Sequence, residues 1–181
     1  PHPLKEAALA AKLPIYQPAS YKDSKVWDEF KALKPDLQVM AFVTLFVPED
    51  FLNIPTHGSI QYHPSLLPAY RGASAINWPI IKGEKETGLS IFWPDNGLDT
   101  GDVLVQKKTP IRGTDTLGTV YFDRLFPMGV EAMLEGVDLV KAGKAPKIKQ
   151  DESKATYEGI CRAGNARIDW GKPWEQIDRL I

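Results

Sequence analysis

Short apolar runs mark four strands along the chain. Residues 37–42 form a compact, largely apolar run, which is typical of a strand buried in a parallel sheet. Residues 58–62 predict a second strand that ends just before His63. Apolar residues alternate with other positions over 87–93, and residues 102–107 are again strand-like, so these two segments can pair antiparallel across the loop between them.

Helical spacing of apolar residues predicts four main helices, over 4–12, from Ser24 as N-cap to Leu33, from Ser74 or Gly72 to Ile81, and over 116–140. Pro79 removes one backbone hydrogen bond, so the third helix should kink or begin late, and Pro127 should bend the fourth. A further helix opens at Pro173-Trp174 and continues to Ile181. Helices that alternate with strands indicate an α/β fold with a mostly parallel sheet flanked by helices.

Composition and charge narrow the class of protein. Hydrophobic residues make up 43% and charged residues 25% of the 181 positions, which is ordinary for a globular protein. No apolar run approaches the roughly 18 residues that cross a bilayer, so no membrane partner is expected. The net charge of −1 gives no overall basic footprint for nucleic acid. Cys161 is the only cysteine, which predicts a reducing compartment, the cytoplasm.

Two constrained loops each carry one side chain that can handle protons. His63 lies at the end of a strand and opens the segment 63–72, His-Pro-Ser-Leu-Leu-Pro-Ala-Tyr-Arg-Gly. Asp99 lies within 95–102, Asp-Asn-Gly-Leu-Asp-Thr-Gly-Asp. Ligands of α/β sheets bind outside the carboxyl ends of the strands, which is where His63 falls. A histidine and an aspartate brought together there suit a proton-shuttling transfer reaction.

These two segments resemble the catalytic signature of the formyltransferases that use 10-formyltetrahydrofolate. The resemblance runs from about Leu4 to Ile181 and implies a Rossmann-like formyltransferase fold with 10-formyltetrahydrofolate as formyl donor. It implies catalytic roles for His63, Asp99 and Gln61, the last standing where transferases that act on amines typically have Asn. It also implies that a set of residues binds the folate: Met40, Ala41, Phe42, Val43, Leu45 and Asp95.

Each catalytic assignment has a structural alternative. In the functional interpretation His63 stabilises the developing oxyanion or relays a proton, and Asp99 orients a water or the attacking group and helps to move the proton. Alternatively, His63 orders its loop through a backbone hydrogen bond, and Gln61 is simply a strand residue. Asp99 could open an Asx turn, a role that fits Asp95 and Asp102 better.

The formyl acceptor stays open between water and methionyl-tRNA. Residues 73–78, 91–93 and 157–160 resemble the hydrolase branch, as in the amino-terminal domain of 10-formyltetrahydrofolate dehydrogenase. Methionyl-tRNA formyltransferases share both catalytic segments and the Ala-Arg-Ile-Asp-Trp element at 166–170. A sugar amine is a third acceptor, and a catalytically inactive folate-binding module is the non-enzyme alternative. His57 and His63 lack neighbouring cysteine or acidic ligands, so no metal site is expected.

The predicted domain organisation has two parts. Residues 1–146 form the formyltransferase catalytic domain, and residues 147–181 form a linker and the start of a C-terminal region. The resemblance implies that a first strand–helix–strand unit of roughly 30 or more residues is missing upstream and that a C-terminal domain follows Ile181. The sequence does not determine the oligomeric state.

Overall fold

The computed structural model describes residues 3–41, 43 and 46–181 and divides them into two compact units. The first unit, which extends to Lys34, holds helices α1 (Pro3–Ala10) and α2 (Ser24–Ala32). The carboxylate of Asp23 accepts a hydrogen bond from the Lys25 amide, so Asp23 caps α2 and Ser24, the predicted cap, is its first residue. An acidic cap also suits the positive end of the helix dipole.

The second unit, from Pro35 onward, is built on a mixed sheet. Its described strands are β1 (Gln38–Met40), β2 (Ser59–His63), β3 (Glu86–Phe92) and β4 (Val103–Pro110), in that spatial order. β1 and β2 are parallel, whereas β2–β3 and β3–β4 are antiparallel. The predicted α/β class is confirmed, and the expectation of a mostly parallel sheet is corrected. The β3–β4 pair is antiparallel as predicted, because the loop from Trp93 to Asp102 returns the chain beside itself, and the unexpected antiparallel pair is β2–β3.

Three short helices lie around the sheet, α3 (Glu49–Leu52), α4 (Asn77–Lys82) and α7 (Trp174–Asp178). α4 begins at Asn77, so Pro79 lies in its first turn, where the missing N–H needs no partner. The predicted late start of this helix is therefore confirmed. α7 ends at Asp178 and does not continue to Ile181 as predicted.

The long helix predicted over 116–140 is divided into three pieces. α5 (Leu117–Val120) passes into a π-helical turn (Tyr121–Leu125), and α6 (Phe126–Lys141) follows. Pro127 has no N–H to donate to the preceding turn, and a wider turn just before it accommodates the lost hydrogen bond. The sequence predicted the disturbance at Pro127, and the structure accommodates it as a π turn. Within the described residues, no helix is long and apolar enough to cross a bilayer.

The main core lies between the sheet and the long helical segment. Its buried apolar side chains include Ile60, Leu89, Ile91, Leu104, Val120, Leu125 and Ala132. α6 approaches the sheet closely at Gly136, where an added Cβ would already lie 3.4 Å from Ile91 and Leu104. Successive side chains of a strand point to opposite faces, so Ile60 faces this core while Gln61 and His63 lie on the other face. The fold thus leaves the second face of β2 for the candidate site.

A buried ion pair fixes the start of α5 to the π turn. Asp115 and Arg124 lie 2.6 Å apart, with only 7% and 16% of their side chains exposed. The Asp115 carboxylate also accepts hydrogen bonds from the Arg112 amide and the Thr119 hydroxyl. Burial raises the pKa of Asp115, but its contacts with Arg124, Arg112 and Thr119 outweigh this and hold it below 3.8.

We expect Asp115→Asn to lower the free energy of unfolding by about 1–3 kcal/mol at neutral pH, because it leaves Arg124 without its charged partner. Because the pKa of Asp115 is lower in the folded state than its ordinary value of 3.8, the stabilisation is complete above pH 3.8. It is lost as the pH falls through the lower, folded-state pKa. Urea unfolding over a pH series measures the gap between wild type and variant, which should close in acid. A gap that stays constant, or an equal gap for the exposed control Asp138→Asn, would contradict this.

Candidate active site

His63 lies at the carboxyl end of β2 with 6% of its surface exposed. Its Nε2 is 2.9 Å from the carbonyl oxygen of Tyr70. A carbonyl can only accept, so Nε2 carries a hydrogen and donates it. The other ring nitrogen, Nδ1, is 3.5 Å from Oδ2 of Asp99. The structure therefore brings together the two predicted proton-handling residues and orients the imidazole between a fixed acceptor and a carboxylate.

The His63–Asp99 contact is a place for one proton. With Nε2 protonated, Nδ1 of the neutral ring presents a lone pair to a carboxylate oxygen. The close approach of His63 Nδ1 and Asp99 Oδ2 is favourable only when a proton lies between these two atoms. Catalytic hydrogen bonds are often long before substrate binds and shorten in the reacting complex, which suits the 3.5 Å separation. The alternative role of His63, ordering its loop, is supported too, because Nε2 bonds to the Tyr70 carbonyl in that loop.

A buried polar network supports the loop after His63. The Ser90 hydroxyl, on the neighbouring strand, donates to the Ser65 carbonyl at 2.7 Å and accepts from the Leu67 amide at 3.1 Å. Gln106 donates to the Leu67 carbonyl at 2.7 Å. These bonds tie the loop to β3 and β4, and Tyr70 beyond it adopts a left-handed conformation with φ of +58°. The acceptor for His63 is thus held by the sheet and does not depend on the loop alone.

Asp99 lies in the loop between β3 and β4, folded back toward β2. It is 8% exposed and has a φ of +56°, a backbone conformation that costs a non-glycine residue energy. Its Oδ2 accepts a hydrogen bond from the Gly72 amide at 2.8 Å. Gly72 has a φ of +101°, which favours glycine. Among the described residues Oδ1 of Asp99 accepts no hydrogen bond, so this oxygen remains available to a substrate.

Asp95 forms the turn of this loop. Its Oδ1 accepts from the Gly97 amide at 3.0 Å and from the Thr100 hydroxyl at 2.6 Å. The expectation that Asp95 suits the turn role better than Asp99 is therefore confirmed. The predicted role of Asp95 in folate binding stays a prediction. Its other carboxylate oxygen, Oδ2, would have to make that contact.

Arg71 and Gln150 form a second layer behind Asp99. The buried Arg71 guanidinium donates to Glu152 at 2.6 and 3.0 Å and to Oε1 of Gln150 at 2.8 and 3.2 Å. The Glu152 contact raises the pKa of Arg71, with burial opposing, and Asp95 and Asp99 add to the rise. The Nε2 of Gln150 donates to the Asp99 carbonyl. Gln150 was not predicted from the sequence, because one glutamine in a polar stretch carries no signal of a contact 51 residues away.

The segment after Gln150 also packs on the His63 loop. The Tyr70 amide donates to the Thr156 hydroxyl at 2.8 Å, and the Arg71 amide donates to the Thr156 carbonyl at 2.9 Å. Arg71 and Tyr157 form an isolated parallel bridge. Residues of the predicted linker therefore belong to the frame around the candidate site.

The predicted folate-binding run follows β1. Met40 pairs with Gln61 across the parallel strands, so the carboxyl ends of β1 and β2 lie side by side. Met40 is buried, whereas Ala41 and Val43 are exposed. Phe42 and Leu45 lie outside the described residues. Gln61 is half-buried, shares the face of His63, and its side chain makes no hydrogen bond within the described part of the chain.

Two other features of the described residues bear on the site. No group of three His, Cys, Asp or Glu side chains that could hold a metal ion occurs among them. A cavity of about 510 Å³ lies near the amino end of β2, lined by residues that include His57, Gly58, Trp93 and Lys147. Its lining includes neither His63 nor Asp99, so the proton-handling pair lies elsewhere.

Comparison with known proteins places this geometry in context. A sequence model of the formyl transferase family matches residues 2–137. Human mitochondrial 10-formyltetrahydrofolate dehydrogenase is 44% identical over 177 residues, which cover 98% of this chain and 19% of that protein. Methionyl-tRNA formyltransferase of Marinobacter nauticus is 40% identical over 181 residues, which cover all of this chain and 58% of that protein.

The fold has a counterpart among solved structures. A 4-N formyltransferase from Francisella tularensis superposes with a TM-score of 0.76 at 22% identity, over 98% of this chain and 70% of the other. This likeness supports the fold. The chain spans about a fifth of the length of the dehydrogenases that it matches.

Proposed function

The chain belongs to the formyl transferase family, and from this premise we propose that it carries the catalytic site of an enzyme that takes the formyl group from 10-formyltetrahydrofolate. The observation that carries the proposal is the buried contact between His63 Nδ1 and Asp99 Oδ2 at the carboxyl end of β2. Relatives that act on 10-formyltetrahydrofolate, at 42–50% identity, support this donor.

Asp99 and His63 share the proton transfer in the proposed reaction. A nucleophile attacks the formyl carbon, the bond from that carbon to the folate nitrogen breaks, and the nitrogen gains a proton. Oδ1 of Asp99 accepts the proton that the nucleophile loses. The carboxyl group gives this proton to the folate nitrogen as the bond to the formyl carbon breaks. His63, fixed by Tyr70, holds a proton between Nδ1 and Oδ2 and so stabilises the Asp99 carboxylate before and after the transfer.

We place the folate next to the carboxyl ends of β1 and β2. The run of Met40, Ala41, Phe42, Val43 and Leu45 would surround its ring, with Asp95 at the opposite loop. The adjacency of Met40 and Gln61 supports this position. Gln61 would donate its amide hydrogens to the oxyanion, a role open to its side chain because that side chain bonds to none of the described residues. The single cysteine and the relatives named cytosolic support a cytoplasmic protein.

Water is the acceptor that we favour. Gln61 departs from the Asn typical of transferases that act on amines, and its extra methylene moves the amide to a different place. With water, the products are formate and tetrahydrofolate. Methionyl-tRNA is the second candidate, and the 40% identity to a methionyl-tRNA formyltransferase over the whole chain supports it.

The test supplies the full protein with 10-formyltetrahydrofolate alone and follows formate and tetrahydrofolate. Steady release of both means that water is an acceptor. With an amine acceptor the formyl group stays on the amine, so tetrahydrofolate release without formate that requires methionyl-tRNA assigns the second candidate, and the same result with a sugar amine would overturn both. Folate binding without release under any of these conditions would overturn the enzymatic proposal and leave a folate-binding module.

A further inference from the structure

Gln150 is placed where it can control the backbone of Asp99. Its Nε2 donates to the carbonyl oxygens of Asp99, at 2.9 Å, and of Gly101, at 2.7 Å. These two carbonyls flank Thr100, so one amide group spans the loop just after the candidate catalytic carboxylate. The loop requires such a restraint because Asp99 holds a φ of +56°.

The orientation of the Gln150 amide is fully determined. Arg71 offers only donors, so Oε1 must face Arg71, and carbonyl oxygens only accept, so Nε2 must face the loop. Both lone pairs of Oε1 and both hydrogens of Nε2 are then used. The ion pair with Glu152 holds Arg71 in turn. A group that makes all of its possible hydrogen bonds in one arrangement is a rigid support.

We propose that Gln150 is a positioning residue for the reaction, which holds the Asp99 carboxylate toward His63 by fixing the left-handed backbone at Asp99. The expected kinetic effect rests on the proposed function, whereas the support of the Asp99 backbone by Gln150 rests on geometry alone. Gln150 bonds to the backbone carbonyl of Asp99 and not to its carboxylate, so we expect its effect on the reaction to pass through the position of Asp99. A misplacement of about 1 Å at a reacting group costs up to about 10²-fold in rate.

The informative substitution is Gln150→Glu. It keeps the size and the acceptor for Arg71 but turns a second oxygen toward the carbonyls of Asp99 and Gly101, which repels the loop. We expect kcat to fall about 10–100-fold, with KM for the folate donor changed less than about threefold. In an Asp99→Asn background the same substitution should change kcat less than about twofold, because the two residues act as one unit.

Nuclear magnetic resonance of the His63 ring provides a readout that needs no substrate. The chain has three histidines, so the ring nitrogens can be assigned by substitution. Gln150→Glu should shift the Nδ1 resonance of His63, which faces Asp99, and change Nε2 much less. Gln176→Glu, on exposed α7, introduces the same charge and should leave both kcat and the ring signals unchanged. If Gln150→Glu does not fold, Gln150→Met removes the amide without adding charge.

The outcomes separate cleanly. A wild-type kcat in the variant, a full additional loss in the Asp99→Asn background, or unchanged His63 signals would overturn the positioning role. A wild-type protein that transfers formyl to no acceptor would overturn the proposed function. In that case the ring signals still decide whether Gln150 holds the Asp99–His63 contact.

Discussion

Replacing Asp99 with Asn is expected to lower kcat about 10²–10⁴-fold, because the variant cannot accept the proton that the nucleophile loses. Asn is close to Asp in shape, and its oxygen can still accept the Gly72 amide that now donates to Oδ2. The loop should therefore stay in place and KM for the folate donor should change little. Formate release measured over a range of donor concentrations separates these two parameters.

Asp50→Asn, an exposed position on α3, is the matched control and should be as active as wild type. If Asp99→Asn kept more than about a tenth of the wild-type kcat, Asp99 would be a loop residue and general base catalysis by it would be excluded.

Substitution of His63 should have an effect of similar size. His63→Ala removes both ring nitrogens and is expected to lower kcat about 10²–10⁴-fold. Two explanations would fit that loss, because His63 both faces Asp99 and holds Tyr70. His63→Gln distinguishes them. Its amide can still donate to the Tyr70 carbonyl, as Nε2 does, but it presents no titratable nitrogen to Asp99.

If His63 handles a proton, His63→Gln should be about as slow as His63→Ala. Recovery of most activity in His63→Gln would instead mean that ordering of the loop is the main role. His57→Ala, at an exposed position outside the pair, controls for the loss of a histidine. Steady-state kinetics of the three variants, with unfolding midpoints to confirm that each folds, provides the measurement.

The two loops that carry His63 and Asp99 were predictable because their local sequence constrains them. Pro64 and Pro68 restrict the backbone of one segment, and Asp95 forms the turn of the other. The strand ends that carry them follow from short apolar runs. The contact between His63 and Asp99 followed from the family resemblance, since nothing in local sequence measures a distance between two loops.

Other features depended on tertiary structure. The directions of β2 and β3 are set by how the chain returns after α4, and periodicity within a strand does not encode direction. The π turn at Tyr121–Leu125 is one of several ways to accommodate Pro127. Gln150 gains its position only once Arg71 is buried beside it, so the interpretation of residues 147–181 as a linker and the start of a C-terminal region could not reveal it.

The hydrogen bonds from Tyr70 and Arg71 to Thr156 have a practical consequence for how this protein can be divided. An expression fragment that stopped near residue 146 would retain His63 and Asp99 yet lose Gln150, Glu152 and Thr156. The carbonyls of Asp99 and Gly101, the Arg71 guanidinium and the amides of Tyr70 and Arg71 would then have only water as partner. A fragment that keeps the contacts of the loops carrying His63 and Asp99 therefore has to extend at least through Glu158, whose amide donates to the Arg71 carbonyl.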